Sequence, residues 1–243
     1  MEMLPRCPSV KYLELEGWED ARRQQESVHY TSHNITSLAI GAGCPISFLE
    51  MVFLSCDLPS LNVIVLDSSE SGSDNWGTET LISFISRSSC MITTFTLRGI
   101  SLSDLDLIAA LRVMPSLLYL EFEDHNWNYA ETQRAYSPIT SKLISSLILR
   151  KSTSISLVPK LHTLHLVSWL DIGTFDDSAF VRMVESRWFK PGSDRSAAML
   201  RMGKGCIRSV VLKFGWREVD ADAYNRLQTF DKEGLRVVVA AMD

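Results

Sequence analysis

Large apolar residues recur along this chain in one local pattern, Φ-x-x-Φ-x-Φ. The clearest copy is Pro115-Ser116-Leu117-Leu118-Tyr119-Leu120-Glu121-Phe122. Taking the first Φ as an anchor, copies begin at Val10, Ile35, Leu61, Ile92, Leu117, Leu161 and Ile207. The positions three and five residues on are Leu13/Leu15, Leu38/Ile40, Ile64/Leu66, Phe95/Leu97, Leu120/Phe122, Leu164/Leu166 and Val210/Leu212. Pro8, Pro59, Pro115 and Pro159 each stand two residues before an anchor. Apolar positions two apart predict strands with one buried face, and a proline just ahead ends the preceding helix without removing a ladder bond. Val, Ile, Phe and Thr enrichment, as in 92–97, supports strands.

Between anchors the period lengthens to that of helices. Thr78-Glu79 leads into Leu81, Ile82, Phe84 and Ile85. Ser103-Asp104 offers a cap and an early acid before a stripe of Leu105, Leu107, Ile108, Leu111 and Met114. Asp176-Asp177-Ser178 opens another helix, with Phe180, Val181, Val184 and Trp188 inward and Arg187 as a C-terminal cation, before Pro191-Gly192 stops it. Residues 139–150 read as a helix, with a weak strand over its tail, Leu147-Ile148-Leu149, as the alternative. Residues 220–230 predict a last helix and 235–239 a last strand. Residues 70–77, 123–138 and 192–205 predict loops, the last mobile around Gly203-Lys204-Gly205.

Anchor spacings are 25, 26, 31, 25, 44 and 46 residues. Leucine-rich repeats run about 20–29 residues, each a strand plus a helix or helical turn. The expected fold is therefore α/β: a leucine-rich-repeat-like right-handed solenoid, parallel strands on the concave wall and helices outside. The alternative is a compact doubly wound α/β domain, whose strands would be apolar on both faces. Only the third copy is, through Val63 and Val65.

Composition narrows the function more than the fold. The chain has 243 residues, 46% hydrophobic and 22% charged, with net charge −5. That balance argues against nucleic-acid or anionic-membrane partners. No stretch is long and apolar enough for a transmembrane helix, and the start lacks a signal-peptide profile. Cys7, Cys44, Cys56, Cys90 and Cys206 are odd in number and scattered, with no CxxC pair, which reads as structural thiols in a reducing compartment, cytoplasmic or nuclear. His29, His33, His125, His162 and His165 fall in no nucleophile or zinc signature. Asp176-Asp177 reads as a helix start rather than a carboxylate pair. No catalytic residue, metal or cofactor is expected.

The Pro-x-Leu-x-x-Leu-x-Leu strands, as in Leu157-Val158-Pro159-Lys160-Leu161-His162-Thr163-Leu164-His165-Leu166, are followed by Phe175-Asp176-Asp177-Ser178 leading into Met183-Val184-Glu185-Ser186-Arg187-Trp188. Together they resemble the C-terminal leucine-rich region of fungal F-box proteins. The resemblance covers most of the chain and is strongest from about Leu117 onward. It implies substrate recognition for a cullin-type ubiquitin ligase, with an N-terminal F-box docking on the ligase adaptor. The family's F-box opens with Leu-Pro-x-Glu, whereas Leu4-Pro5 here runs into Arg6-Cys7-Pro8, so no F-box is visible. The expectation is a single domain over 1–243 lacking an N-terminal cap or F-box. The adaptor is then a partner only through an upstream F-box. The alternative is a stand-alone scaffold or inhibitor-like binding domain unrelated to ubiquitin.

Four tryptophans, Trp18, Trp127, Trp169 and Trp216, follow an anchor by eight to ten residues, where the chain leaves a strand. Tyr12 and Tyr119 share one outward register, and Glu14 and Glu121 the next. An aromatic rim beside an acidic strand wall would suit a basic or mixed peptide. The competing expectation is that each tryptophan plugs the gap above its repeat.

Overall fold

The structure, a computed structural model, describes residues 9–16, 29–41, 44–68, 76–124, 137–150, 156–169, 175–215 and 217–242. The strands are β1 (Tyr12–Leu15), β2 (Tyr30–Thr31), β3 (Ser37–Ile40), β4 (Cys56–Asp57), β5 (Val63–Asp67), β6 (Thr94–Arg98), β7 (Tyr119–Glu123), β8 (Thr163–Ser168), β9 (Ser209–Phe214) and β10 (Arg236–Ala241). The helices are α1 (Ile46–Ser55), α2 (Glu79–Ser88), α3 (Asp104–Arg112), α4 (Ser141–Ser146), α5 (Asp177–Arg187), α6 (Asp194–Arg201) and α7 (Ala221–Lys232). None of them is long and apolar enough to cross a membrane.

Eight strands make one open parallel sheet in the order β1-β3-β5-β6-β7-β8-β9-β10. The short β2 and β4 pair separately. Sheet order follows chain order, without the reversal that marks a doubly wound sheet. Each predicted apolar slot meets its counterpart on the next strand. One row runs Leu13, Leu38, Ile64, Phe95, Leu120, Leu164, Val210 and Val237 across the sheet. Its members from Leu38 to Val210 are fully buried. The anchors Ile35, Leu61, Ile92, Leu117, Leu161 and Ile207 are buried just ahead of their strands. β10 adds an eighth copy with Gly234 at the anchor position, at φ +104°. No apolar side chain marks it there, so pattern matching passes over it.

This face packs against the helices in one continuous core. Neighbouring helices contact in sequence from α1 through α5, and α5 contacts α7. The cap expected for α3 forms, since the Ser103 hydroxyl accepts the Asp106 amide hydrogen at 3.1 Å. Leu105, expected on its buried stripe, is instead 57% exposed in the first turn.

Three expectations need correction. The helix over 139–150 is shorter: α4 covers Ser141–Ser146 and its tail forms no strand. The loop over 192–205 contains α6, capped where the Ser193 hydroxyl accepts the Ser196 amide hydrogen at 3.2 Å. Because α6 buries only Met199, it shows no apolar stripe to read. Arg187 is not a surface cation at a helix end. It is fully buried, and its guanidinium donates to the carbonyls of Leu147 (2.6 Å), Val158 (3.0 Å) and Leu157 (2.8 Å). Burial pulls its pKa down to about 10, which leaves it charged at neutral pH. Arg87, in the last turn of α2, also reaches back to the preceding repeat. It donates to the carbonyls of Phe53 and Cys56 and to the Asp57 carboxylate.

Candidate functional site

The second face of the sheet is half-open and carries the outward residues of every strand. Its centre lies on β6, β7 and β8, where Thr96, Glu121 and His165 are cross-strand neighbours. Glu121 is 7% exposed, so its charge must be met locally. Arg98 supplies a forked contact, Nε at 2.9 Å and Nη2 at 2.7 Å from Oε1. The Tyr119 hydroxyl donates to Oε2. His165 Nδ1 stands 3.8 Å from the same oxygen, too far for a direct hydrogen bond. His165, then Tyr119 and Arg98, hold the Glu121 carboxyl down at about 2 against the upward push of burial. Burial, then Glu121 itself, pushes the Tyr119 phenol up to about 12.

A stability prediction follows from this arrangement. The folded pKa of Glu121, about 2, lies below its ordinary value of 4.5. Its stabilisation is therefore complete above pH 4.5 and lost as pH falls from there toward 2. On the order of 2 kcal/mol should disappear over that window, and Glu121→Gln should lack this pH dependence. Urea titrations at several acidic pH values check it; parallel curves for the two proteins would refute it.

One strand further along, acid and aromatic meet where the chain leaves the sheet. Asp124, 3% exposed, accepts the Trp169 amide hydrogen at 2.5 Å and the Ser168 hydroxyl at 2.8 Å. Glu123 accepts the Trp169 indole N–H at 3.1 Å. The Trp169 ring lies against Gly215, where an added Cβ would come 2.7 Å from Cε3. The residue is half-buried, so it fills the step between β7 and β9 while leaving part of its surface open.

Of the residues singled out in the sequence, Tyr119 and Glu121 meet on β7, while Trp169 lies about 20 Å further along the strands from Tyr119, bonded to Glu123 and Asp124. Tyr12 is 55% exposed and Glu14 is exposed, both on edge strand β1. That strand lies four strands from β7, about 19 Å at ordinary strand spacing. Trp18, Trp127 and Trp216 lie outside the described residues. The expected acidic wall is corrected at its centre. Glu121 is paired with Arg98 and accepts the Tyr119 hydroxyl, and the next row runs Asp67, Arg98, Glu123, Val167 and Lys213. Sequence reading passed over Arg98 and Lys213 and gave His165 only an ordinary strand role. Comparing the +6 outward positions between copies would have found the two cations.

Other reactive groups have structural partners. The Asp176 carboxylate caps α5 by accepting the Ala179 amide hydrogen at 2.9 Å. Asp177 accepts Arg217 Nη2 at 2.5 Å and the Tyr224 hydroxyl, tying α5 to the last helix. Burial pushes the Cys56 and Cys90 thiols up to about 11, which disfavours the reactive thiolate. Among the described residues no group of three or more His, Cys, Asp and Glu side chains could hold a metal ion. Comparison with known proteins finds no family model, no curated protein and no solved structure that this chain matches.

Proposed function

We propose that this chain is a non-enzymatic protein-interaction module of leucine-rich-repeat type. In this reading the sheet is the strand wall of a right-handed solenoid and its half-open face is the recognition surface. The observation that carries the proposal is the register. Eight parallel strands follow chain order, one face is sealed by helices, and the other holds side chains already fixed to one another. Fixed polar and aromatic groups lose little entropy on binding, which is what a recognition surface requires. Alternating charge along the outer row favours a partner of mixed charge rather than a purely basic one. The resemblance to F-box leucine-rich regions makes a ligase substrate the first partner class. A scaffold partner outside ubiquitination is the second.

Affinity purification with the wild-type chain and with the paired variant Trp169→Ala/Lys213→Glu tests the surface. The variant should lose a partner that the wild type retains, with binding weakened at least about tenfold. Trp169→Ala alone should cost about 1 kcal/mol of stability by urea unfolding. If the partner stays bound, or if Trp169→Ala costs several times that stability, the indole is a plug and not a contact. Measuring the captured partner's half-life in cells without this chain then separates the two classes. A ligase substrate persists longer, whereas a scaffold partner turns over as before.

A further inference from the structure

The apolar row sealed across the middle of the sheet is only half-buried at its two ends, at Leu13 and Leu15 on β1 and at Val237 and Val239 on β10. Among the described residues no strand pairs with the outer edge of either. Along a strand, successive residues turn their main-chain groups to opposite sides. On β10 the Arg236 and Met242 amides donate toward β9, to the carbonyls of Arg208 and Phe214. Val237, Val239 and Ala241 therefore turn theirs to the open edge. On β1 the Lys11 and Leu15 carbonyls accept from Ser37 and Gly41 on the β3 side, so Tyr12, Glu14 and Glu16 face the other open edge.

The two edges are complementary in side chains as well. On the half-open face β1 carries exposed Tyr12, Glu14 and Glu16. On that face β10 carries exposed Arg236 in the row of Tyr12, with Lys213 one strand inward at the level of Glu16. Val237-Val238-Val239-Ala240-Ala241 makes β10 a long apolar edge, the kind that templates a further strand. One of its edge amides is already held: Asp231 Oδ1 accepts the Val237 amide hydrogen at 3.1 Å.

We propose that β10 of one molecule takes β1 of a second copy as its next parallel strand, joining copies head to tail. The register of the sheet sets the alignment. Leu13 of the incoming copy falls beside Val237 and Leu15 beside Val239, which continues the sealed row. The Val239 and Ala241 amides then donate to the Glu14 and Glu16 carbonyls, and the Val237 and Val239 carbonyls accept from the Glu14 and Glu16 amides. Arg236 meets Tyr12 within its row and Glu14 on the diagonal. The Tyr12 carbonyl competes with Asp231 for the Val237 amide, and incoming Lys11, on the same face as Leu13, is the cation that can draw the carboxylate away. The half-open face stays free for another partner. One strand pair buries less than a standard interface of about 1,600 Å², so the junction is weak. Its two surfaces differ, so growth does not stop at a dimer unless a ring closes.

Sedimentation velocity of the intact chain over a concentration series tests the proposal. The weight-average mass should climb from the 27.4 kDa of one chain past that of a dimer. Glu14→Lys/Glu16→Lys spoils the β1 end. Arg236→Glu/Ala241→Pro spoils the β10 end, since proline at 241 removes an open-edge donor and no bond to β9. Each variant alone should associate at least about tenfold more weakly than wild type. Mixed in equal amounts they should form a heterodimer and nothing larger, because one intact end of each remains. Thermal midpoints measured alongside show that the variants fold; if the proline variant unfolds, Arg236→Glu alone replaces it. Wild type that stays monomeric up to about 1 mM overturns the proposal. So does a Glu14→Lys/Glu16→Lys protein that dimerises like wild type, which would mean that β10 pairs with β10. A mixture no heavier than its components overturns it too.

Discussion

Replacing Arg187 with methionine is expected to remove about 3–5 kcal/mol of folding stability. Methionine roughly matches the aliphatic stem but offers no donor. The carbonyls of Leu147, Leu157 and Val158, now satisfied by one guanidinium, would be left without it inside the protein. No carboxylate is stranded, because all three acceptors are main-chain oxygens. The loss therefore measures what the fork contributes to holding the chain between α4 and β8. Arg187→Lys should recover only part of it, because a single ammonium lacks the geometry to reach three carbonyls at once. Arg87→Ala, at the matching place on α2, should cost only about 1 kcal/mol. Its side chain is 34% exposed, and water can replace it. Urea unfolding of the three variants checks the order. A loss below about 1 kcal/mol for Arg187→Met would mean that water enters and takes over the carbonyls, and the clamp would then be incidental.

The second large effect is a contrast between neighbours on one strand. Phe95→Ala should cost about 3–5 kcal/mol and Thr94→Ala less than about 1 kcal/mol. Phe95 is fully buried between Ile64 and Leu120 on the helix-facing side of β6. Removing its ring leaves a cavity that strands held on both sides cannot collapse around. Thr94 points to the half-open face, where its loss exposes little. Equal losses would mean that β6 is slipped by one residue, which would turn every inward slot of that strand outward. Thermal or urea unfolding of the two variants decides between these outcomes.

Strand positions were legible in the chain because each copy repeats apolar residues two apart, three and five positions after its anchor. The buried row from Leu38 to Val210 is readable in the sequence alone, as are the starts of α3 and α5 at Ser103 and Asp176. α6 was not legible, since a helix burying one side chain leaves no periodic trace. The last strand was expected at 235–239 and forms as β10, but Gly234, having no side chain to match, hid that it is an eighth copy of the pattern. The candidate face was legible only as a set of outward positions. Reading Glu121 as an open acid failed because its charged partner is distant in sequence, Arg98 standing 23 residues away.

By itself, then, the sequence determined which strand residues face the core and in what order the strands follow, because alternation and anchor spacing are local properties of the chain. Only the tertiary structure decided that Glu121 is spent on Arg98 and Tyr119 and that Arg187 is an interior clamp. These depend on which side chains meet across strands and helix ends. A charged residue's role is set by what stands opposite it, and one chain read end to end does not say what that will be.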